Sequence, residues 1–326
     1  MNISSRPAAH WTSVPGCCRK MAEAILLTRE RANDFGGTRE GYLSSHRTTR
    51  RPSLHRQDRI REKLRVNPFL AAKDCDGVVN RLRHVPPMPP GHYPIQSLLV
   101  SCHLLVDGNE AVLLDTGLVG EPGRIRRLVR RLGLAPDSVK AVLLTHGHLD
   151  HAGNVAWVKQ WTGARVFAHP AEQAYIDGRF PYRGVNRWCG RLERAGRFVF
   201  GYRRTAIDEP LADGQVLPFW GGLRVVHLPG HMAGHCGFFS ERHGLLFSGD
   251  LFVSYRSRAS LPPPIFNSFP ELIPASLEKV RKLDPPGIVP SHYWGTDWTR
   301  HRRKFAALCA RLAAQRRQVS PSEPPP

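Results

Sequence analysis

From Ile95 onward the apolar residues fall into short runs separated by polar turns. "SLLVSCHLLV" and "AVLLD", joined by "DGNE", predict two strands of a hairpin. "GRIRRLVRRLGL" places Ile125, Leu128, Val129 and Leu132 at helical spacing and has a glycine near its end. "KAVLL" then predicts a buried strand, "NVAWVKQWTG" a helix and "ARVFAHP" a strand. The later runs "LRVVHL", "GLLFSGDLFV" and "GIVPSH" each close in polar residues. A last helix, over about 300–317, carries Phe305, Leu308 and Leu312 on one face and arginines on the other. Strands and helices alternate while hairpins are also present, so the expected class is α/β with mixed layers.

Residues 1–84 differ. Stretches such as "FGGTREGYLSSHRTTRRPSLHRQ" lack periodicity and large apolar side chains, which predicts a basic, largely disordered or loosely packed extension. One short helix is expected at "DRIREKLRV", and "HVPPMPPGHYP" is a stiff, non-helical boundary. The folded domain is expected over 85–317, with a disordered Pro-rich tail at 318–326.

Charge and cysteine usage narrow the class. The net charge is +20, and residues 1–75 hold 15 Lys/Arg against 7 Asp/Glu, so the basicity is not confined to one tail. No basic run is interleaved with aromatics as stacking on bases requires, so there is no strong nucleic-acid signal. Cys17, Cys18, Cys75, Cys102, Cys189, Cys236 and Cys309 form no CxxC pair, which fits a reducing compartment. No apolar run is long enough to span a bilayer and no secretory signal is evident, so the expected location is cytoplasmic.

The chemistry concentrates in "THGHLDHAG" at 145–153, directly after "KAVLL". His146, His148, Asp150 and His151 offer nitrogen and hard oxygen donors suited to zinc, iron or manganese. His146 and His148, two residues apart, can bind one ion from a loop, leaving Asp150 and His151 for a second. His231, Asp250 and His292 each close an apolar strand, a placement that costs stability unless the side chain has a task. They supply a third nitrogen for the first ion, a bridging carboxylate, and a histidine for the second.

The pattern HxHxDH, then His, Asp and His, resembles that of the metallo-β-lactamase fold superfamily over about residues 90–315, as does "LLDTG" at Asp115–Gly117. The resemblance implies an αββα sandwich with a dinuclear site at one edge. It implies His146, His148 and His231 on one metal, Asp150, His151 and His292 on the other, and Asp250 bridging two divalent ions, most simply zinc. A hydrolase using a metal-bridging hydroxide follows. Asp150 is then expected to handle protons, His235 to orient a ligand, Cys236 to pack, and Asp115 to brace the site from beneath.

Departures from the superfamily's branches shape the substrate expectation. The true zinc β-lactamases lack the bridging aspartate. Only 42 positions separate Asp250 from His292, too few for the inserted domain of the nucleases, and only 34 residues follow His292, too few for the glutathione-gripping domain of glyoxalase II. A small ester-type substrate, a lactone first, is the expectation, as in the similar N-acyl homoserine lactonases. Those place a tyrosine three residues after the bridging aspartate. Here that position is Val253, and Tyr255 is the candidate substitute, on the premise that both offsets share one strand face. Thioester or phosphodiester hydrolysis, a mono-iron persulfide dioxygenase, and a basic nucleic-acid-binding protein with a structural metal remain the alternatives. "DGRFPYRGVNRWCGRLERAGRFVFGYRR" reads either as a lid whose aromatics line a pocket and whose arginines hold an anionic or acyl-bearing substrate, or as a surface helix with solvated arginines.

Overall fold

The computed structural model describes residues 88–319 apart from 98–99, 119, 180–181, 183–185 and 256. The helix expected at "DRIREKLRV" and nearly all of the expected extension and tail lie outside these residues.

Six strands form the first sheet in sequence order: β1 (His92–Gln96), β2 (Ser101–Asp107), β3 (Glu110–Leu114), β4 (Val139–Leu143), β5 (Arg165–Ala168) and β6 (Glu209–Pro210). The first three are antiparallel and the rest join in parallel, with α1 (Glu121–Arg131), α2 (Leu149–Ala152), α3 (Val155–Thr162), α4 (Gln173–Ile176) and α5 (Arg187–Val199) in the connections. The second sheet comprises β7 (Val216–Leu217), β8 (Leu223–His227), β9 (Cys236–Ser240), β10 (Leu245–Gly249) and β11 (Gly287–Pro290). Its strands are antiparallel except for β10 with β11, which are joined through α6 (Ile273–Leu283). Helix α7 (Trp298–Val319) follows.

The uninterrupted apolar runs are explained by burial on both faces of each strand. Leu105, Leu114, Leu143, Val225, Phe238, Leu245 and Phe247 point into one core between the sheets. Their neighbours Leu104, Leu113, Val142 and Leu144 point outward, under Ile125 and Val129 of α1 and Val155 and Val158 of α3. Val226, Phe239 and Leu246 do the same beneath Ile273, Leu277 and Val280 of α6 and Phe305 and Leu308 of α7. The period of two along each strand thus builds four layers, helix–sheet–sheet–helix. This is the αββα sandwich.

Two local features depart from the sequence reading. β1 takes in Pro94 opposite His103, on an edge strand where a missing N–H costs no ladder bond. The strand of "GLLFSGDLFV" ends at Gly249, so the premise that Asp250 and Tyr255 lie on one strand fails. The backbone turns at Asp250 and Leu251, and Val253 and Ser254 make only isolated bridges, to Ser260 and Tyr293.

Candidate metal centre

Strands β3, β4, β10 and β11 all end at one edge of the sandwich, and the seven expected ligands converge there. Asp115 follows β3 with φ at 56°, a left-handed conformation costly for a residue with a Cβ. Its carboxylate accepts Thr145 N at 2.8 Å on Oδ1, and Thr145 Oγ1 and His151 Nδ1, each at 2.8 Å, on Oδ2. Asp115 therefore braces the first metal loop from below.

That bracing decides tautomers. Because the single hydroxyl proton of Thr145 goes to Asp115, the contact of 3.0 Å between Thr145 Oγ1 and His146 Nδ1 is donated by the imidazole. His146 Nε2 is left with a lone pair. His151 Nδ1 donates to Asp115, which leaves its buried Nε2, without a hydrogen-bond partner, as the ring atom turned to the site. Asn267 Nδ2 donates to Pro262 O, so its Oδ1 accepts from His231 Nδ1 at 3.1 Å and frees His231 Nε2 in turn.

The freed atoms face one another. His146 Nε2 and His231 Nε2 each lie 3.0 Å from His148 Nδ1. Three nitrogens around a tetrahedral ion at 2.0–2.1 Å stand about 3.3 Å apart, so the spacing suits a cation between them. A second group forms from Asp150, His151 and His292, with His292 Nε2 3.4 Å and His151 Nε2 3.7 Å from Asp150 Oδ2. Asp250 stands between the groups. Its Oδ2 is 3.5 Å from His231 Nε2 and 3.1 Å from His292 Nε2, and its Oδ1 is 3.5 Å from His151 Nε2. Converging lone pairs and an orphaned buried carboxylate oxygen, Asp250 Oδ1, fit the donor set of a metal-binding site.

The electrostatics differ between the halves. Burial, then the neighbouring imidazoles, hold His146 and His148 well below the ordinary histidine range. Burial opposes charging of His151 and His292 too, but Asp150 and Asp250 beside both, with Asp115 beside His151, push them well above it. Burial also works against ionised Asp150 and Asp250, yet His151 and His292 hold both carboxyls below the usual range.

The structure places His235 at 0% exposure behind Asp250, where its Nε2 accepts Asp250 N at 2.9 Å. Gly249 permits this approach: a Cβ there would lie 2.4 Å from His235 Nε2, and φ is 54°. Cys236 is packed, its Sγ donating to Gly234 O. Tyr255, although off the strand, brings its hydroxyl 3.2 Å from His292 Nδ1, with Trp294 beside its ring.

Several residues around the site escaped the sequence reading. Buried Glu172 accepts Gly147 N at 2.8 Å and Gly234 N at 2.7 Å, tying together the two loops that carry His146, His148 and His231. Helix α5 braces the same loop. Glu193 accepts Leu149 N at 2.9 Å, and Arg197 donates to Gly147 O at 2.8 Å and to Glu193 at 3.2 Å. Asn186, just before α5, donates to the carbonyl of Asn267 at 2.6 Å. The lid reading therefore fails for Arg197, which is turned inward, and for Trp188 and Phe198, which are turned to the outside. Tyr182 is the aromatic that stands beside His148, with ring centroids 6.1 Å apart.

The family model of the metallo-beta-lactamase superfamily matches residues 95–292, which span every candidate ligand named above. The chain belongs to that superfamily. Among relatives, it is 34% identical over 160 residues to the probable metallo-hydrolase YybB of Bacillus subtilis, covering 49% of this chain and 64% of that protein. It is 30% identical over 178 residues to hydroxyacylglutathione hydrolase GloC of Haemophilus influenzae, covering 52% and 74%. A metallo-beta-lactamase family protein of Thermus thermophilus shares the fold, with a TM-score of 0.56 at 24% identity over 70% of this chain and 81% of that one. TTHA1623, solved in a di-iron-bound form, aligns with a TM-score of 0.50 at 28% identity, covering 65% and 97%. In fold and donor set the chain is a metallo-hydrolase of this superfamily. No helix among the described residues is long and apolar enough to cross a membrane.

Proposed function

We propose that the protein is a dinuclear hydrolase of a small ester-type substrate, with a lactone as the first choice. The observation that carries this reading is the position of Asp250, whose carboxylate reaches His231 in one donor group and His292 and His151 in the other. Two divalent ions held by His146, His148 and His231 and by Asp150, His151 and His292 supply Lewis-acid polarisation and a nucleophile drawn from water. Zinc suits the donors, and the di-iron form of TTHA1623 makes iron the competing resident.

The chain's own groups do the remaining work. Asp150, with a quarter of its side chain exposed, is the carboxylate that meets incoming substrate, and as an anion it accepts a proton and returns it to the leaving group. Tyr255 fixes the ring of His292 and, with Trp294, walls that side of the site; Tyr182 walls the other, beside His148. His235 acts through the Asp250 backbone and is a positioning residue rather than a catalytic one.

The similarity to GloC favours a second reading, thioester hydrolysis. Proton release by zinc- or iron-loaded protein against lactones, acyl homoserine lactones and thioesters separates the two. Lactone turnover that disappears in Asp250→Asn supports the first reading. Thioester turnover alone replaces it, and silence on both classes refutes hydrolysis of ester-type substrates.

A further inference from the structure

Helix α5 braces the metal loop with its inner face and turns an exposed face outward. At about 100° per residue, Trp188, Leu192, Ala195 and Val199 share one stripe. Arg187, Arg191 and Arg194 form the stripe beside it, with Phe198 among them, and Arg203 and Arg204 follow at the helix end; all of these are exposed. Trp188 is 60% exposed, Leu192 45%, Phe198 89% and Val199 50%. Seven large apolar side chains are exposed among the described residues, and four of them stand on this one helix, so the patch is not the scatter found on any surface. The helix's single acid, Glu193, is turned inward against Arg197 and the backbone of Leu149.

We propose that this face docks α5 on an anionic lipid surface. An apolar stripe of Trp, Leu and Val seats at the boundary between headgroups and acyl chains, while the adjacent arginines meet phosphate oxygens at headgroup level. Arg191 lies over the Trp188 ring at 4.6 Å, so ring and cation are held together at the depth where such pairs anchor. A second copy fits less well, because pairing two of these faces gathers arginines of like charge from both copies around one small apolar contact. Nucleic acid fits less well too, because beside the rings of Trp188 and Phe198 the face offers Leu192 and Val199, which have no ring to stack on bases. The inner side of α5 holds Gly147 O and Leu149 N, on either side of His148, so docking brings the metal edge close to the lipid. The inference stands on the helix surface alone and does not depend on which ester the site hydrolyses.

The test is sedimentation of the full-length protein with phosphatidylcholine vesicles, with and without phosphatidylglycerol. Two variants accompany it: Trp188→Ser with Phe198→Ser, which keeps every arginine of the chain, and Arg187→Gln with Arg191→Gln and Arg194→Gln. All five positions are exposed, so far-UV circular dichroism is expected to be unchanged. The expected result is partition onto the anionic vesicles only, weakened about tenfold or more in each variant. Equal partition of parent and variants assigns the attraction to other basic parts of the chain and overturns the proposal. So does failure to bind either vesicle, a dimer that Trp188→Ser with Phe198→Ser dissociates, or RNA binding lost in the arginine variant without vesicle binding.

Discussion

His235 Nε2 accepts the backbone N–H of Asp250 at 2.9 Å while His235 Nδ1 donates to Leu228 O at 2.9 Å. The two bonds require a neutral ring, and burial, followed by the neighbouring His231, holds its pKa down to about 3. The carboxylate between the two donor groups is thus held from behind by a group that belongs to neither. His235→Ala is expected to leave the fold intact and weaken divalent-metal binding by about 10–100-fold, measured by competition with a chromophoric chelator. His235→Gln, which restores an acceptor, should recover part of the loss. Unchanged affinity in His235→Ala would remove the positioning role.

Glu172 holds two loops with one carboxylate, so its loss strands two buried N–H groups, those of Gly147 and Gly234. Glu172→Ala is expected to cost about 1–3 kcal/mol for each, read as a lowered urea midpoint of the metal-free protein. Glu172→Gln keeps one acceptor and should fall between parent and Ala.

Arg197 and Glu193 form a buried pair that also bonds the metal loop on both sides of His148. Arg197→Met leaves a buried carboxylate without its cation and is expected to destabilise the protein by about 3–5 kcal/mol. The double variant Glu193→Leu with Arg197→Met should be less destabilised than the sum of the singles. Additive costs in the double-mutant cycle would show that the two do not act as a pair.

His92 and His103 meet at 3.0 Å in the core between the sheets, and both are buried. Burial, then His243, lowers His92 to about 4, and burial, then His92, lowers His103 well below the ordinary range. Folding therefore favours the neutral rings. Their contribution is fully present above the unfolded value near 6.5 and is lost as pH falls through the folded values. For His92 alone the loss is on the order of 3 kcal/mol between pH 6.5 and 4. Urea unfolding across that window should show a shallower slope in His92→Gln; an identical slope would place the acid sensitivity elsewhere.

The layers and the cluster of candidate donors were legible in the sequence for a shared reason. A strand buried on both faces is an apolar run whatever its partners, and a histidine or aspartate closing such a run stands out at once. His146, His148, Asp150, His151, His231, Asp250 and His292 are all of this kind. The braces left no such trace. Glu172, Glu193, Arg197 and Asn267 act on backbone groups or on a single imidazole nitrogen, at separations of 25, 44, 50 and 36 residues from those partners. No spacing rule reaches that far.

Helix α5 shows the division most plainly. Its sequence states how many arginines and aromatics it carries, but not which way each one faces. Packing against the metal loop turned Arg197 inward, where Gly147 O and Glu193 offer it partners, and left Trp188 and Phe198 outside. The sequence puts Tyr255 on a strand that does not continue, and it reaches His292 because the chain turns after Asp250. The sequence by itself determined the layers and the donor set, since alternation and residue chemistry are local. Only the tertiary structure decided what braces those donors and which way α5 faces, because both depend on where distant segments meet.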